Sequence, residues 1–540
     1  MDMMKQSSDQ EIQVVDDALV SLLLNHNAVE IPPVGKDLIA AVLGRYQRVR
    51  IDVELPKDFD STWMSSTFLR IARGGHRQLG LHTIGQTRAT NGHASTRSTA
   101  IAKALEQGFW ELLSPFTGHL EPVSSSLGRE WYPHVHDGEV CLASQFGNIM
   151  VMVDVETLWV FPQRKLILYV SNGYNEAEIL DHVCTAYDRW LKQAPAIAGY
   201  LAKANAPGGR TLALTDTWCP HMSHNLWNLQ TGWANVFGEG KTPASCRFLA
   251  YDDQNFFGTL AELFPETVND ENLLTYVRND DEILTHTINE NLLTFTVKDE
   301  FFTDDLVDRL IQQALMHCSQ EFLSELQEFR TKSDPLIITT IRLDNRAWIE
   351  QQAGLPALFG ELQKKFPNMG LIIDGLSSDT SKGWTTSWMS MEAELEMAES
   401  VRTHLPENLP VMFSVGRTFA ESLVMLNSAD LFVAPSGSGM GIYKWISNLP
   451  GLAFSNRSVL DPHSPHRWPL LVWHNPLFRN NITETIHLDP EWVTDGPMER
   501  DHISRANFHL DWRHIYDAAV PLINKILNNK NRPYNINKPE

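Results

Sequence analysis

Cysteine is scarce in this chain: five residues, Cys141, Cys184, Cys219, Cys246 and Cys318, form an odd and widely spaced set. No Cys-x-x-Cys pair occurs among them, which argues against a disulfide framework or a zinc ribbon and fits a reducing compartment. Basic residues are also in short supply. Against 66 acidic side chains stand 44 Lys and Arg, a formal charge of −22 at pH 7. Such a surface repels a polyphosphate, so nucleic acid is not an expected partner, although a local Arg or Lys pocket for one nucleotide or phosphate is compatible with the average. No stretch reaches about 18 uninterrupted apolar residues, and the opening MDMMKQSSDQEIQVVDD carries acids where a secretory signal would be basic and then apolar. The expectation is a soluble, cytoplasmic protein with no transmembrane segment. No period of roughly 20 to 50 residues repeats, which excludes solenoids and propellers. Neither GxGxxG nor GxxxxGK[ST] is present, so dinucleotide and ATPase assignments find no support.

What is present is ordinary globular composition, 43% hydrophobic and 20% charged over 540 residues. At about 150 residues per domain this suggests roughly three to four structural units. Polar, Gly- and Pro-containing breaks at SSSLGREWYPHVHDGE and TKSDP separate regions 1–130, 131–333 and 334–540. In the first, ALVSLLLNH, KDLIAAVLGRYQRV and STAIAKALEQGFWELL read as helices, and the role of the region is unassigned. Its loop ARGGHRQLGLHTIGQTRATNGH offers Arg73, His76, Arg77, Arg88, His93 and Arg97 either as an anion site or as a Gly-rich surface connection. The second region reads as α/β: strand-like EVCLASQF, NIMVMVDVETLWVF and KLILYVSN, then helical EAEILDHVCTAYDRWL. There TLALTD runs into WCPHMSHNLWNLQTGWANVF, as an open α/β sheet presents a crevice at its strand ends. The third region alternates strand and helix from PLIITTIRL through GLIIDGL, PVMFSVG and DLFVAPSGS to GLAFSN, which implies a parallel, doubly wound sheet.

Three clusters carry candidate chemistry. In ADLFVAPSGSGMGIYKWISN, Gly437, Ser438, Gly439 and Gly441 lie between a strand and a helix, where backbone amides can reach a phosphate without a Cβ in the way. Ser436 and Lys444 add a hydroxyl and a charge, and the alternative is a tight turn that binds nothing. In TTIRLDNRAW, Arg342 closes the first strand of the same sheet and Arg346 follows, a residue type whose planar fork suits a diphosphate. In the third cluster, His221 and His224 are candidate general bases beside Asn225 and Asn228, which can orient a sugar. Rival readings make Cys219, His221 and His224, with Asp216, zinc ligands, or make the histidines helix caps. Asp58 and Asp60 are a weak divalent-metal pair, and Glu392, Glu394, Glu396 and Glu399 read as a solvated helix face.

The last 200 or so residues resemble the nucleotide-binding half of GT-B fold glycosyltransferases, through IRLDNR, GLIIDG, SVGRTFAESL and LFVAPSGSGMGIYKW. HMSHNLWNLQTG is similar to an acceptor-side loop of such proteins. The resemblance implies an α/β protein with two Rossmann-like domains facing a cleft and an additional N-terminal α/β or helical region. It further implies a nucleotide-sugar donor on residues 334–540, an acceptor on 131–333, and transfer to a hydroxyl or other nucleophile of a glycan, small molecule or protein. No cofactor and no metal are implied. The donor site would use Arg342, Arg346, Ser436, Gly437, Ser438, Gly439 and Lys444, with Thr418 and Glu421 for the nucleoside. His224 or His221 would be the base. The last helix, WRHIYDAAVPLINKIL, is placed to cross back to the acceptor domain. A Glu-x7-Glu arrangement does not appear in its usual position, so inverting and retaining chemistry both stay open.

Two other functions share these residues: a non-catalytic nucleotide or sugar sensor, and a zinc hydrolase centred on His221 and His224. The zinc reading predicts stoichiometric metal in the purified protein by elemental analysis, and metal-free protein removes it.

Overall fold

Hydrogen bonding along the chain produces three parallel or mixed sheets, seen in a computed structural model that describes residues 36–73, 111–144, 158–170, 176–203, 209–216, 225–237, 246–252, 256–268, 274–297, 301–343, 345–378, 390–437, 439–464, 478–497 and 503–528, with parts of 14–24 and 104–109 and residue 222. The chain divides into two units: Met1–Trp218, Asn228–Asp253 and Phe264–Glu300 form the N-terminal one, and Cys219–Trp227, Gln254–Leu263 and Phe301–Glu540 the C-terminal one.

In the N-terminal unit the strands are β1 (Gln47–Arg50), β2 (Glu111–Leu113), β3 (Leu120–Pro122), β4 (Trp131–His136), β5 (Glu139–Ser144), β6 (Leu158–Phe161), β7 (Leu166–Tyr169), β8 (Thr211–Thr215), β9 (Arg247–Tyr251), β10 (Leu274–Val277) and β11 (Leu292–Thr296). A mixed sheet runs β1-β7-β6-β5-β4, and a parallel sheet runs β10-β9-β8-β11. The region 1–130 is therefore not a separate helical module. Its β1 lies parallel to β7 with Gln47 opposite Leu166, and Leu43 shares a core with Trp131, Val140 and Tyr187. The expected helix STAIAKALEQGFWELL also gives way: Gly108 takes φ +75° and Glu111–Leu113 leaves as β2, paired with β3. The two sheets of this unit are pinned together by Ser126 Oγ and Thr294 Oγ1 at 2.8 Å and by Arg129 Nε donating to Asp280 at 2.8 Å.

The C-terminal unit is built on β12 (Leu336–Thr340), β13 (Gly370–Asp374), β14 (Val411–Phe413), β15 (Leu431–Pro435), β16 (Gly451–Phe454) and β17 (Thr485–His487), with a small hairpin of β18 (Val493–Asp495) and β19 (Phe508–Leu510). The six strands are parallel in the order β14-β13-β12-β15-β16-β17. Numbered from β12, that is the 3-2-1-4-5-6 order of doubly wound sheets. The continuous apolar runs follow, because both faces are covered. Ile337, Leu371, Ile373, Leu431, Val433 and Leu452 share one core with the helices α1 (Gln351–Lys365), α2 (Met391–Thr403) and α3 (Trp512–Asn528). The alternate residues Ile338, Ile372 and Phe432 are equally buried.

Two expectations change here. Helix α3 does not cross back: its apolar stripe Ile515, Ala519, Leu522, Ile523 and Ile526 is spent in the core of its own unit. The unit also begins before the expected break at 334, since the preceding helix Gln320–Thr331 is tied to it. Arg330 Nη2 reaches both oxygens of Asp430 at 2.8 and 2.9 Å, and Leu336 N donates to the same carboxylate at 2.8 Å. Asp430 is buried, so its removal strands both donors. Asp430→Ala is expected to cost about 3 kcal/mol, read as faster hydrogen exchange of the β12 and β15 amides, and unchanged protection would contradict this account.

Candidate functional site

Between β12 and β15 the strand order of the C-terminal sheet reverses, and the connections leaving the two strands depart in opposite directions. Doubly wound sheets bind their ligands in the crevice this opens beyond the carboxyl ends. Arg342 stands two residues past β12, and Ser436 and Gly437 follow β15 directly. The strand ends thus unite two of the clusters seen in the sequence.

Arg342 is held at both ends. Its backbone N–H donates to Gln351 Oε1 at 3.1 Å, and Gln351 Nε2 donates to its carbonyl at 2.6 Å. Its guanidinium donates from Nε to the Asn345 carbonyl at 2.5 Å and from Nη2 to Asn345 Oδ1 at 2.9 Å. The remaining arm lies against Gly437 so closely that a Cβ there would stand 1.9 Å from Nη1. A side chain at position 437 would force the Arg342 guanidinium to move.

Ser436 donates its N–H to the Phe454 carbonyl at 2.7 Å, which ties the loop to the end of β16. Its hydroxyl and that of Ser455, both buried, have no hydrogen-bond partner among the described residues. Under the loop, the buried Asp374 carboxylate at the end of β13 accepts hydrogen bonds from Ser414 Oγ and Tyr443 OH. Burial raises the Asp374 pKa above the usual carboxylate value, against the opposing hydrogen bonds from Ser414, Tyr443 and the Gly375 backbone. Burial first and the Asp374 charge second push Tyr443 well above the usual phenol range, so it stays protonated and donates. A Cβ on Gly439 would lie 3.6 Å from Tyr443 OH and 3.7 Å from Asp374 Oδ2, so the pair sits directly below the glycine loop. Asp374, Ser414, Tyr443 and Ser455 were not singled out from the sequence. The one local signal was the Asp-Gly that ends GLIIDG.

Other sequence candidates have structural duties. Lys444 is fully buried and its Nζ donates to the carbonyls of Leu449 and Thr483 at 2.8 Å and to Thr483 Oγ1 at 2.7 Å. It clasps the loop after the helical turn and is not a diphosphate ligand. Thr418 and Glu421 form the capping box of the helix Phe419–Asn427, each bonding the other's backbone N–H at 3.2 Å. Arg346 occupies a left-handed turn, φ +57°, with its N–H on the Arg505 carbonyl. Asp216 accepts from Tyr251 N at 3.1 and 3.2 Å, a staple at the sheet end. Asp60 binds Thr62 N and Oγ1. Glu394, expected in solvent, accepts from Leu376 N at 2.7 Å.

Asn225 and Asn228 are buried in the π-turn Asn225–Gln230, and Asn228 Oδ1 has no hydrogen-bond partner among the described residues. Gly441 opens the turn Ile442–Ile446 in ordinary right-handed conformation. His221, His224, Cys219 and Ser438 lie outside the described residues, as do His76, Arg77, Arg88, His93 and Arg97. Arg73 closes the helix Ser66–Arg73. Among the described residues no helix is long and apolar enough to cross a membrane.

No protein-family model matches the chain, and no curated protein matches it in sequence. The chain is similar to solved glycosyltransferases. One is the glycosyl transferase family 9 structure from Veillonella parvula DSM 2008, at 12% identity over 58% of this chain and 97% of that one, TM-score 0.33. Another is the ADP-heptose LPS heptosyltransferase II of E. coli, at 11% identity over 58% and 99%, TM-score 0.30. The UDP-GlcNAc 2-epimerase of Methanocaldococcus jannaschii also aligns, at 12% identity over 60% and 71%, TM-score 0.25. These scores are too low to assign an activity.

Burial, with the Arg479 charge second, drives the Lys444 pKa from 10.5 down to about 7. Between those values the unfolded chain holds a proton that the folded one has released, so stability rises with pH. Relative to Lys444→Met, the wild type is expected to gain thermal stability as pH rises through that interval. A pH-independent difference would contradict the depressed pKa.

Proposed function

We propose that the chain is a metal-independent glycosyltransferase whose nucleotide-sugar donor sets its diphosphate in the crevice beyond β12 and β15. The observation that carries the reading is Arg342 lying over Gly437 at the point where the strand order reverses. A cation anchored on one strand end and a loop on the next whose Gly437 and Gly439 carry no side chain suit a group with two adjacent phosphates. The Ser436 hydroxyl, buried beside them, supplies a donor that no described residue uses.

In the reaction the bond between the sugar's anomeric carbon and the diphosphate oxygen breaks, and the electron pair leaves on the nucleoside diphosphate. Arg342 and the Gly437–Gly439 backbone stabilise that developing charge. The anomeric carbon gains a bond to an acceptor hydroxyl or other nucleophile, whose proton passes to a base, for which His224 and His221 are the candidates. Asn225 and Asn228 are the acceptor-side candidates for holding a sugar. Thr418, Glu421 and Lys444 have no part in this site, because their cap and clasp roles account for them, and Arg346, whose turn fixes only its backbone, stays a candidate for the donor phosphates.

Calorimetric titration of UDP, GDP and ADP into wild type and Arg342→Ala, with and without EDTA, tests the reading. One nucleotide binds the wild type irrespective of EDTA, and the substitution weakens it by about tenfold to a hundredfold, the loss of charge-assisted hydrogen bonds. Equal affinity in the variant, or no nucleotide binding at all, overturns the assignment.

A further inference from the structure

Away from the crevice, the segment 256–262 lies against the helices Asp304–His317 and Phe419–Asn427 of the same unit and encloses a cavity of about 340 Å³. Its floor is apolar: Phe257, Leu310, Phe419 and Leu423 are all buried. The Phe257 and Phe419 rings meet edge to face with centroids 4.9 Å apart, leaving a surface suited to a hydrocarbon or aromatic group.

The polar side of the cavity is formed by Thr259, Glu262, His317 and Thr418, with the Glu262 carboxylate at its centre. Glu262 Oε2 takes hydrogen bonds from Thr259 N at 2.7 Å and Thr259 Oγ1 at 2.9 Å. The Thr259 backbone bond is the main reason its carboxyl titrates below the usual glutamate range, so it is ionised at neutral pH. Its other oxygen has His317 Nε2 at 4.0 Å, beyond hydrogen-bond reach. Gln313, one turn before His317 and only 3% exposed, lies 2.9 Å from His317 Nε2 through its Nε2, while its Oε1 has no partner among the described residues. Gly258 brings these groups side by side. It takes φ +99°, and a Cβ there would fall 2.8 Å from Gln313 Nε2 and 3.1 Å from Glu262 Oε2. No Lys or Arg lines the cavity. An apolar floor beside an ionised carboxylate complements a cation that carries hydrogen-bond donors, and the chain's charge of −22 attracts one. The same carboxylate repels a nucleoside diphosphate, so the cavity is distinct from the donor crevice.

We propose that this cavity is a second ligand site, for a small primary amine whose apolar body lies on Phe257 and Phe419 and whose ammonium faces Glu262. The test uses the intact chain and three probes with one ring and different charge: phenethylamine, 2-phenylethanol and phenylacetate. Ligand-observed saturation-transfer NMR and calorimetry are run on wild type, Glu262→Gln and Ala420→Phe, each variant first checked for native circular dichroism. Phenethylamine is expected to bind wild type at least about tenfold tighter than phenylacetate. Glu262→Gln brings the amine down to the affinity of the alcohol, and Ala420→Phe, which fills the cavity from its half-buried rim, abolishes binding of all three. Phenylacetate binding as tightly as the amine, amine binding that survives Ala420→Phe, or no amine binding at low-millimolar concentration overturns the proposal. Displacement of the amine by a nucleoside diphosphate overturns it as well, by merging the cavity with the donor site.

Discussion

The guanidinium of Arg342 occupies the space that a side chain at position 437 would need, and this one steric fact organises the strand ends of the C-terminal unit. It requires β12 and β15 to be neighbours, which the pairing of Ile337 with Leu431 and Ile338 with Phe432 provides. It also requires the arginine to be rigid. Gln351 and Asn345 between them take up its backbone N–H, its carbonyl and two guanidinium nitrogens, which fixes its rotamer.

Around that contact the polar groups fall into two kinds. Asp374, Ser414, Tyr443 and Lys444 are buried and spend their hydrogen bonds on one another or on the backbone, which shapes the loop. Ser436 and Ser455 are buried with hydroxyls that no described residue engages. Buried polar atoms in folded chains are nearly always paired, and these two hydroxyls stand just past the ends of the adjacent strands β15 and β16.

Much of this unit was legible locally. Both faces of its sheet are covered, so β12, β13, β15 and β16 write themselves as short apolar runs, and the glycines and Arg342 mark the turns that follow. Lys444 shows why local reading stops there. A lysine after a glycine loop looks the same whether its amine meets a phosphate or the Thr483 carbonyl, and Thr483 lies far along the chain. Thr418 and Glu421 carry the spacing of a capping box, a structural signal that a functional motif can mimic. In the N-terminal unit β1 finds its partner in β7, more than a hundred residues away, and no periodicity within 1–130 encodes that pairing. Asp374 hid for a similar reason: a single acid at a strand end gains meaning only when Ser414 and Tyr443 fold over it.

The central claim is a location, and a crystal structure with bound UDP, GDP or ADP tests it most directly. The account predicts the diphosphate between the Arg342 guanidinium and the Ser436–Gly439 loop, with a phosphate oxygen accepting from Ser436 Oγ. A nucleotide bound at any other strand end, with Arg342 and Gly437 in contact and no ligand near them, would contradict it.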